Sequence, residues 1–245
     1  MGAAPVTSRF LTAEWLDLAM LNYEIDPAIV AARVPAGCEL DSFAGRTFVS
    51  VVGFRFLRTR VLGVPIPFHV NFDEVNLRFY VRRDVAGERR RGVVFVKEIV
   101  PRRAIAWVAR VVYGENYVAF PMRHELTHGA TSESSEAAYR WKRDGRWEGL
   151  SVTYSGVPAL APEDAEESFI TEHYWGYARQ RDGGTVEYRV EHPRWRVWRA
   201  RGAALECDVA SLYGPEFAAP LARAPTTAFV ADGSPVVVRR GRRMA

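Results

Sequence analysis

At 245 residues the chain is long enough for one sizeable core or two small ones, and its 48% hydrophobic and 25% charged residues are ordinary for a globular protein. No apolar run nears the ~20 residues of a membrane-spanning helix, and the first residues lack the basic-then-apolar pattern of a secretory signal, so a cytoplasmic location is expected. The net charge of +4 is carried almost wholly by arginine, and lysine occurs only at Lys97 and Lys142.

Residues 1–9 read as a frayed start and 241–245 as a tail, flanking a single domain over 10–240. In 13–25, Trp15, Leu18 and Leu21 fit a helical spacing while Leu16, Leu18 and Met20 fit alternation, so helix and strand both stand. Asp26 with Pro27 predicts the start of a short helix running to about Arg33. Glu39 to Phe43 reads as a short strand before a turn at Ala44-Gly45.

Residues 47–83 are the strongest stretch, two long strands joined by a loop punctuated with Pro and Gly. Phe48, Ser50, Val52, Phe54 and Phe56 share one face of the first strand. In the second, Val75, Leu77, Phe79 and Val81 share an apolar face, and Glu74, Asn76, Arg78 and Tyr80 share the other. One reading of the polar face is a solvated sheet surface. The other is a barrel-like sheet with packed residues outside and a pocket within. Glu74 and Arg78, four residues apart on one strand, have Cα atoms about 13 Å apart, too far for a simple ion pair. Both are therefore expected to face one cavity and act on opposite ends of a small molecule.

Arg82 to Arg91 reads as a charged loop around Gly87, followed by a buried strand, Gly92 to Val100. Lys97 falls on the face of Val93, Phe95 and Ile99 by alternation. There it either snorkels to water or carries a lowered pKa as a nucleophile or proton carrier. Arg103 to Tyr113 predicts a helix, Tyr117–Met122, Ala137–Arg143 and Arg146–Tyr154 predict strands, and the polar run THGATSESSE predicts a loop. A helix is expected from Ala165 to about His173. The ring-rich His173-Tyr174-Trp175-Gly176-Tyr177 after it suits core or pocket wall. Thr185–Trp198, interrupted at Pro193, and Ala204–Ser211 read as strands, Pro215–Leu221 as a short helix. Thr227–Val230 and Pro235–Arg239 read as a hairpin turning at Asp232-Gly233.

Three motifs are weighed against function. His124-Glu125-Leu126-Thr127-His128 matches H-E-x-x-H, whose chemistry needs both histidines on one helical turn. Pro121 and Gly129 leave little room for a helix, and on a strand the two lie about 13 Å apart, so a chance match is expected and no metal. The runs Arg89–Arg91, Arg102-Arg103 and Arg239–Arg243 read as solvated charge, and no nucleic-acid partner is expected. Cys38 and Cys207 are far apart and read as reduced structural residues. No cofactor fingerprint is present, no membrane partner is expected, and homo-oligomerisation stays open.

Several stretches resemble an uncharacterised bacterial family of unknown function (YqjF-like) within the acetoacetate decarboxylase-like superfamily. They are Asn22-Tyr23-Glu24-Ile25-Asp26-Pro27, Val34-Pro35-Ala36-Gly37, Phe54-Arg55-Phe56, Gly63-Val64-Pro65, Phe72 to Arg78, Tyr174-Trp175-Gly176-Tyr177 and Glu191-His192-Pro193. The resemblance implies an α+β fold, mainly an antiparallel barrel-like sheet with a few short helices and a central cavity, in which Glu74 helps to bind or orient substrate. Acetoacetate decarboxylases follow the helix with Tyr-Gly-Tyr-Pro-Lys-Lys, one lysine of which forms a Schiff base. The matching stretch here is Tyr113-Gly114-Glu115-Asn116-Tyr117-Val118, without either lysine, so Schiff-base decarboxylation is not carried over. The expectation is a binder of a small anionic or carbonyl-bearing metabolite, with Asn76, Arg78, Tyr80, His69, Tyr117, His173 and Tyr177 as ligand-binding candidates. The alternative is an enzyme of lyase-like carbonyl chemistry with Glu74 as acid or base and Lys97 as a candidate amine.

Overall fold

A computed structural model describes residues 8–102, 116–127 and 134–244. The helix expected over 103–113, residues 128–133 of the polar loop, and His128 lie outside them. The described chain runs β1 (Arg9–Ile25), α1 (Ala28–Ala31), β2 (Glu39–Leu40), β3 (Thr47–Val61), β4 (Val64–Pro65), β5 (Phe72–Val85), β6 (Glu88–Val100), β7 (Tyr117–Ala119), β8 (Met122–Thr127), β9 (Ser135–Arg143) and β10 (Arg146–Tyr154). It continues β11 (Ala159–Leu160), α2 (Glu166–Thr171), β12 (Trp175–Arg179), β13 (Thr185–Glu191), β14 (Arg196–Glu206), α3 (Val209–Tyr213), α4 (Pro215–Leu221), β15 (Thr227–Arg239) and β16 (Arg242–Arg243).

The long strands pair in the order β13-β12-β6-β5-β3-β1-β15, and a further pairing of β13 with β15 closes them into a ring. Most of these pairings are antiparallel; β12 meets β6 in parallel over a short contact. From β15 the sheet continues through β14, β10, β9 and β8 and folds back over the outside of β1, β3 and β5.

Alternation along each ring strand therefore separates two cores. Leu21, Val51, Leu77 and Phe79 point outward and meet Tyr139, Trp141 and Val152 of the covering hairpin. Each large apolar side chain buried there contributes roughly 1.5–3 kcal/mol. Leu18, Met20, Phe48, Val52, Phe54 and Tyr80 point inward and meet Phe169, Ile170 and Trp195. The apolar face of β5 is thus the outer one, and its polar face the inner one.

Residues 13–25, where helix and strand both stood, are strand, because β3 and β15 flank β1 on both sides and satisfy its backbone. Other expectations change. The charged loop at 82–91 is a tight turn at Ala86-Gly87, both at positive φ, between strands that run on to Val85 and resume at Glu88. Residues 209–213 are helix, not strand. Arg242 and Arg243 are no loose tail; they pair with β13 as β16. The anchor there is Glu187, 1% exposed, which accepts from Arg83 (2.9 Å), Arg90 (3.1 Å) and Arg242 (2.7 Å). Burying a carboxylate this deeply is costly without such partners.

Asp232-Gly233 makes no hairpin. β15 passes straight through it, with Gly233 at φ +83° opposite Leu16. The glycine is required twice over, by the left-handed backbone and because a β-carbon there would run into the Trp15 carbonyl. Gly233→Ala is expected to destabilise the protein by about 2–4 kcal/mol in urea unfolding, with an unchanged m-value.

Candidate functional site

The ring encloses a cavity of about 240 Å³. β5 lays Phe72, Glu74, Asn76 and Arg78 along one wall in strict alternation. The neighbouring strands reach it less regularly. Around Asp17 (φ 56°) β1 inserts an extra residue against β3, so Trp15 and Leu18 both face inward, three apart. Around Arg58 (φ 53°) β3 does the same, bringing in Phe56 and Thr59. In β6 the extra residue is Val96, which brings in Phe95 and Glu98. Each of these β-bulges resets the alternation.

The bulge in β6 decides the place of Lys97. It pairs with Leu77 and stands on the outer face, where its ammonium donates to the Leu212 carbonyl of α3. Burial, and then the charges of Arg143 and Arg33, lower its pKa, but it is not part of the cavity wall. Lys142 is exposed on β9. Neither lysine of the chain faces the cavity.

Of the other sequence candidates, Glu74, Asn76, Arg78, His69, Tyr117 and His173 line the cavity, while Tyr80 and Tyr177 do not. Tyr80 faces the ring interior but lies behind His173, its ring 4.6 Å from the imidazole and its hydroxyl 2.6 Å from Ser50 Oγ. Tyr177 is in the outer core, fully buried. His69 sits near the exposed loop that joins β4 to β5, its Nδ1 2.7 Å from the Pro67 carbonyl. Glu98, Thr59, Trp15, His192 and Trp195 are wall residues that alternation did not reveal. The signal for the first three was apolar or polar spacing by three within a strand.

Three polar groupings emerge. In the first, Glu74 accepts from Asn76 Nδ2 at 3.1 Å and from the Tyr117 hydroxyl at 3.2 Å. Glu98, 2% exposed, approaches the same phenol. Burial pushes the Glu74 carboxyl up to about 7, against the opposing pull of Asn76, Tyr117 and Arg78. Burial, and then Glu74 and Glu98, raise Tyr117 well above the usual phenol range, so it keeps its proton.

In the second, His173 is buried with Nε2 3.5 Å from Asp41 Oδ2, the outer edge of hydrogen-bond range. Burial lowers the His173 pKa to about 4, so the ring is neutral at pH 7. Asp41 itself accepts from Arg91 at 2.7 Å. Burial works against its ionised form, but His173 and Arg91 together outweigh it and hold the carboxyl at about 2.

The third is Arg78. Its Nη2 has only the Ile170 carbonyl at 3.4 Å and Met20 sulfur at 3.9 Å, and its guanidinium lies 5.7 Å from the Tyr80 ring centre. Its Nε is buried and finds no hydrogen-bond partner among the described residues. A guanidinium normally fills its fork with carboxylate or carbonyl oxygens.

The H-E-x-x-H stretch is elsewhere. His124 and Glu125 are in strand β8, and His124 Nδ1 is 2.9 Å from Asp73. Among the described residues no group of three His, Cys, Asp or Glu side chains converges as a metal site would require.

The model of the DUF2071 family, described as an uncharacterized conserved protein, matches residues 12–235. The chain is 27% identical over 199 residues to the uncharacterized protein YqjF of Bacillus subtilis (strain 168), covering 80% of this chain and 76% of that one. An acetoacetate decarboxylase-like enzyme from Sphingomonas wittichii RW1 superposes with a TM-score of 0.65 at 14% identity, over 100% of this chain and 96% of that one. The enduracididine biosynthesis enzyme MppR, complexed with pyruvate, superposes with a TM-score of 0.67 at 14% identity, over 100% and 92%. At such identities the likeness is one of fold: an α+β, mainly antiparallel sheet with short helices, of the acetoacetate decarboxylase-like kind. No helix among the described residues is long and apolar enough to cross a membrane.

The raised Glu74 pKa has a consequence for stability. Between the ordinary value of 4.5 and about 7 the folded protein holds a proton that the unfolded chain releases, so stability falls as pH rises through that window. Glu74→Gln removes the effect. Its stability relative to the parent is expected to increase between pH 4 and pH 8, by on the order of 3 kcal/mol, in denaturant titrations at the two pH values. A difference independent of pH would contradict this picture of Glu74.

Proposed function

This chain belongs to the DUF2071 family, and we propose that its cavity binds a small anionic or carbonyl-bearing metabolite whose oxygens complete the Arg78 guanidinium. The observation that carries this reading is the arginine itself. It lines a largely apolar cavity, has a buried Nε–H without a hydrogen-bond partner among the described residues, and makes no ion pair among them. Leaving such a donor unmatched costs about 1–3 kcal/mol, and a ligand oxyanion removes that cost. The volume, below the ~300–1,000 Å³ of pockets for drug-sized molecules, suits a small metabolite. The pyruvate complex of MppR supports an oxo acid as one class to test.

A second reading, an enzyme of carbonyl or lyase type, is favoured by one observation: Glu74 titrates near pH 7, where a carboxyl can both take and give a proton. His173, neutral and backed by Asp41, is a second proton acceptor on the same cavity. What this reading does not include is an amine nucleophile, because both lysines lie off the cavity. Borohydride added with pyruvate or acetoacetate should leave no mass adduct on Lys97; an adduct there, lost in Lys97→Arg, would overturn that exclusion. If turnover of an oxo acid is found, Glu74→Gln should lower it by about 10²-fold or more.

The binding reading is tested by calorimetric titration with small carboxylates. Arg78→Met should weaken binding by about 10–100-fold, the loss of one charge-assisted contact. Affinity should also decline as pH rises through about 7, because an ionised Glu74 repels the anion, and the decline should vanish in Glu74→Gln. Equal binding of a carboxylate and its neutral alcohol would sink the proposal.

A further inference from the structure

A separate feature of the cavity bears on the shape and chemistry of the ligand. The indoles of Trp141, Trp195 and Trp198 each donate their N–H to a protein acceptor: Glu148 at 2.8 Å, Ser234 at 2.8 Å and the Gly156 carbonyl at 3.1 Å. Trp15 does not. Its Nε1 is buried, has no partner among the described residues, and belongs to a side chain that lines the cavity. An indole N–H can only donate, so what it lacks is an acceptor. The Thr59 hydroxyl, also buried, also on the wall and also without a partner, is the second unspent polar group on β1 and β3.

These two lie at the opposite end of the cavity from Arg78. Trp15 pairs with Phe56, which pairs with Phe72, whereas Arg78 pairs with Ser50. The two rows are six residues apart along β5, about 20 Å of backbone. Both side chains are long, but a compact anion such as pyruvate cannot meet both. The wall at and next to the Trp15 row is made of rings, with Glu74 and Asn76 between it and Arg78: Phe54 and Phe56 stand 5.4 and 5.5 Å from Trp15, edge to face, and Phe56 stacks on Phe72 at 4.5 Å. Such walls favour a flat ring over an alkyl chain.

We infer that the cavity takes an elongated aromatic carboxylate, an arylalkanoic acid whose carboxylate faces Arg78 and whose ring carries a phenolic oxygen that accepts from the Trp15 indole N–H. This rests on the reading of Arg78 as the anion's partner. It adds to it a second polar pole and the aromatic wall beside that pole.

The test is calorimetric titration of the full chain with 3-(4-hydroxyphenyl)propionate, 3-(4-methylphenyl)propionate and hexanoate. The hydroxylated acid should bind about tenfold tighter than its methyl counterpart, the worth of one hydrogen bond. Both aryl acids should bind tighter than hexanoate. Trp15→Phe, which keeps a ring and removes the N–H, should abolish the advantage of the hydroxyl while leaving the methyl compound within about twofold. The comparison of hydroxyl with methyl on the unaltered protein needs no variant, so it stands even if Trp15→Phe folds poorly. Equal binding of the hydroxyl and methyl acids, or of hexanoate and the aryl acids, overturns the inference. So does a hydroxyl advantage that survives Trp15→Phe. If hexanoate binds through Arg78 as well as the aryl acids do, only this inference falls. If none of the three acids binds but pyruvate does, only this inference falls; if pyruvate fails as well, the anion reading of Arg78 falls with it.

Discussion

Closure of the strand ring is the constraint on which the rest of the molecule depends. The contact that closes it is short, Val190 opposite Val238 and Glu191 opposite Val237, fastened by Arg239 on Glu191 at 3.0 Å. Once the ring is closed, every strand in it has one face turned to the interior. Alternation must then serve two cores at once, an outer one against the covering hairpin and an inner one. The outer core is filled. The inner one keeps space, because its residues are rings and forked polar groups held upright by their neighbours.

The unfilled interior changes the meaning of its charged groups. On an open sheet face, Glu74, Asn76 and Arg78 would be solvated and unremarked. Inside the ring, Glu74 is 3% exposed and its charge is disfavoured until a proton or a cation arrives. Arg78 meets only a long carbonyl contact and a sulfur. Asp41, also buried though less deeply, is held ionised by His173 and Arg91. Glu187 has three arginines. The fold therefore neutralises its structural carboxylates from within and leaves the cavity groups only partly matched. That contrast, between carboxylates with charged partners and a cavity carboxylate held only by an amide and a phenol, separates scaffold from site.

Part of this was legible beforehand. The strand pair at 47–83 and the division of β5 into an apolar and a polar face follow from strict alternation, whereas the polar face could equally have met solvent. The misses share one physical cause. Trp15 and Leu18, Phe56 and Thr59, Phe95 and Glu98 are three apart yet face the same way, because a bulge between the members of each pair resets the pleat. Within residues 13–25 that spacing imitates a helix. In β6 it exchanged two residues, placing Lys97 inside by count when the chain places it outside, and hiding Glu98. Asp232-Gly233 erred the other way: a turn signature that the paired strand accommodates as one left-handed residue.

The amino-acid sequence by itself determined the local rules: that 47–61 and 72–83 are extended, which face of β5 is polar, and that two lysines are all the chain has. Those are properties of residue type and of period, and they need no distant partner. Only the tertiary structure decided which parity faces inward after each bulge, that Tyr80 and Tyr177 stand off the cavity, and that Glu74 titrates near neutrality while Asp41 does not. Register shifts are set by the strand alongside, and a pKa by everything within a few ångströms, so neither can be read from the order of residues alone.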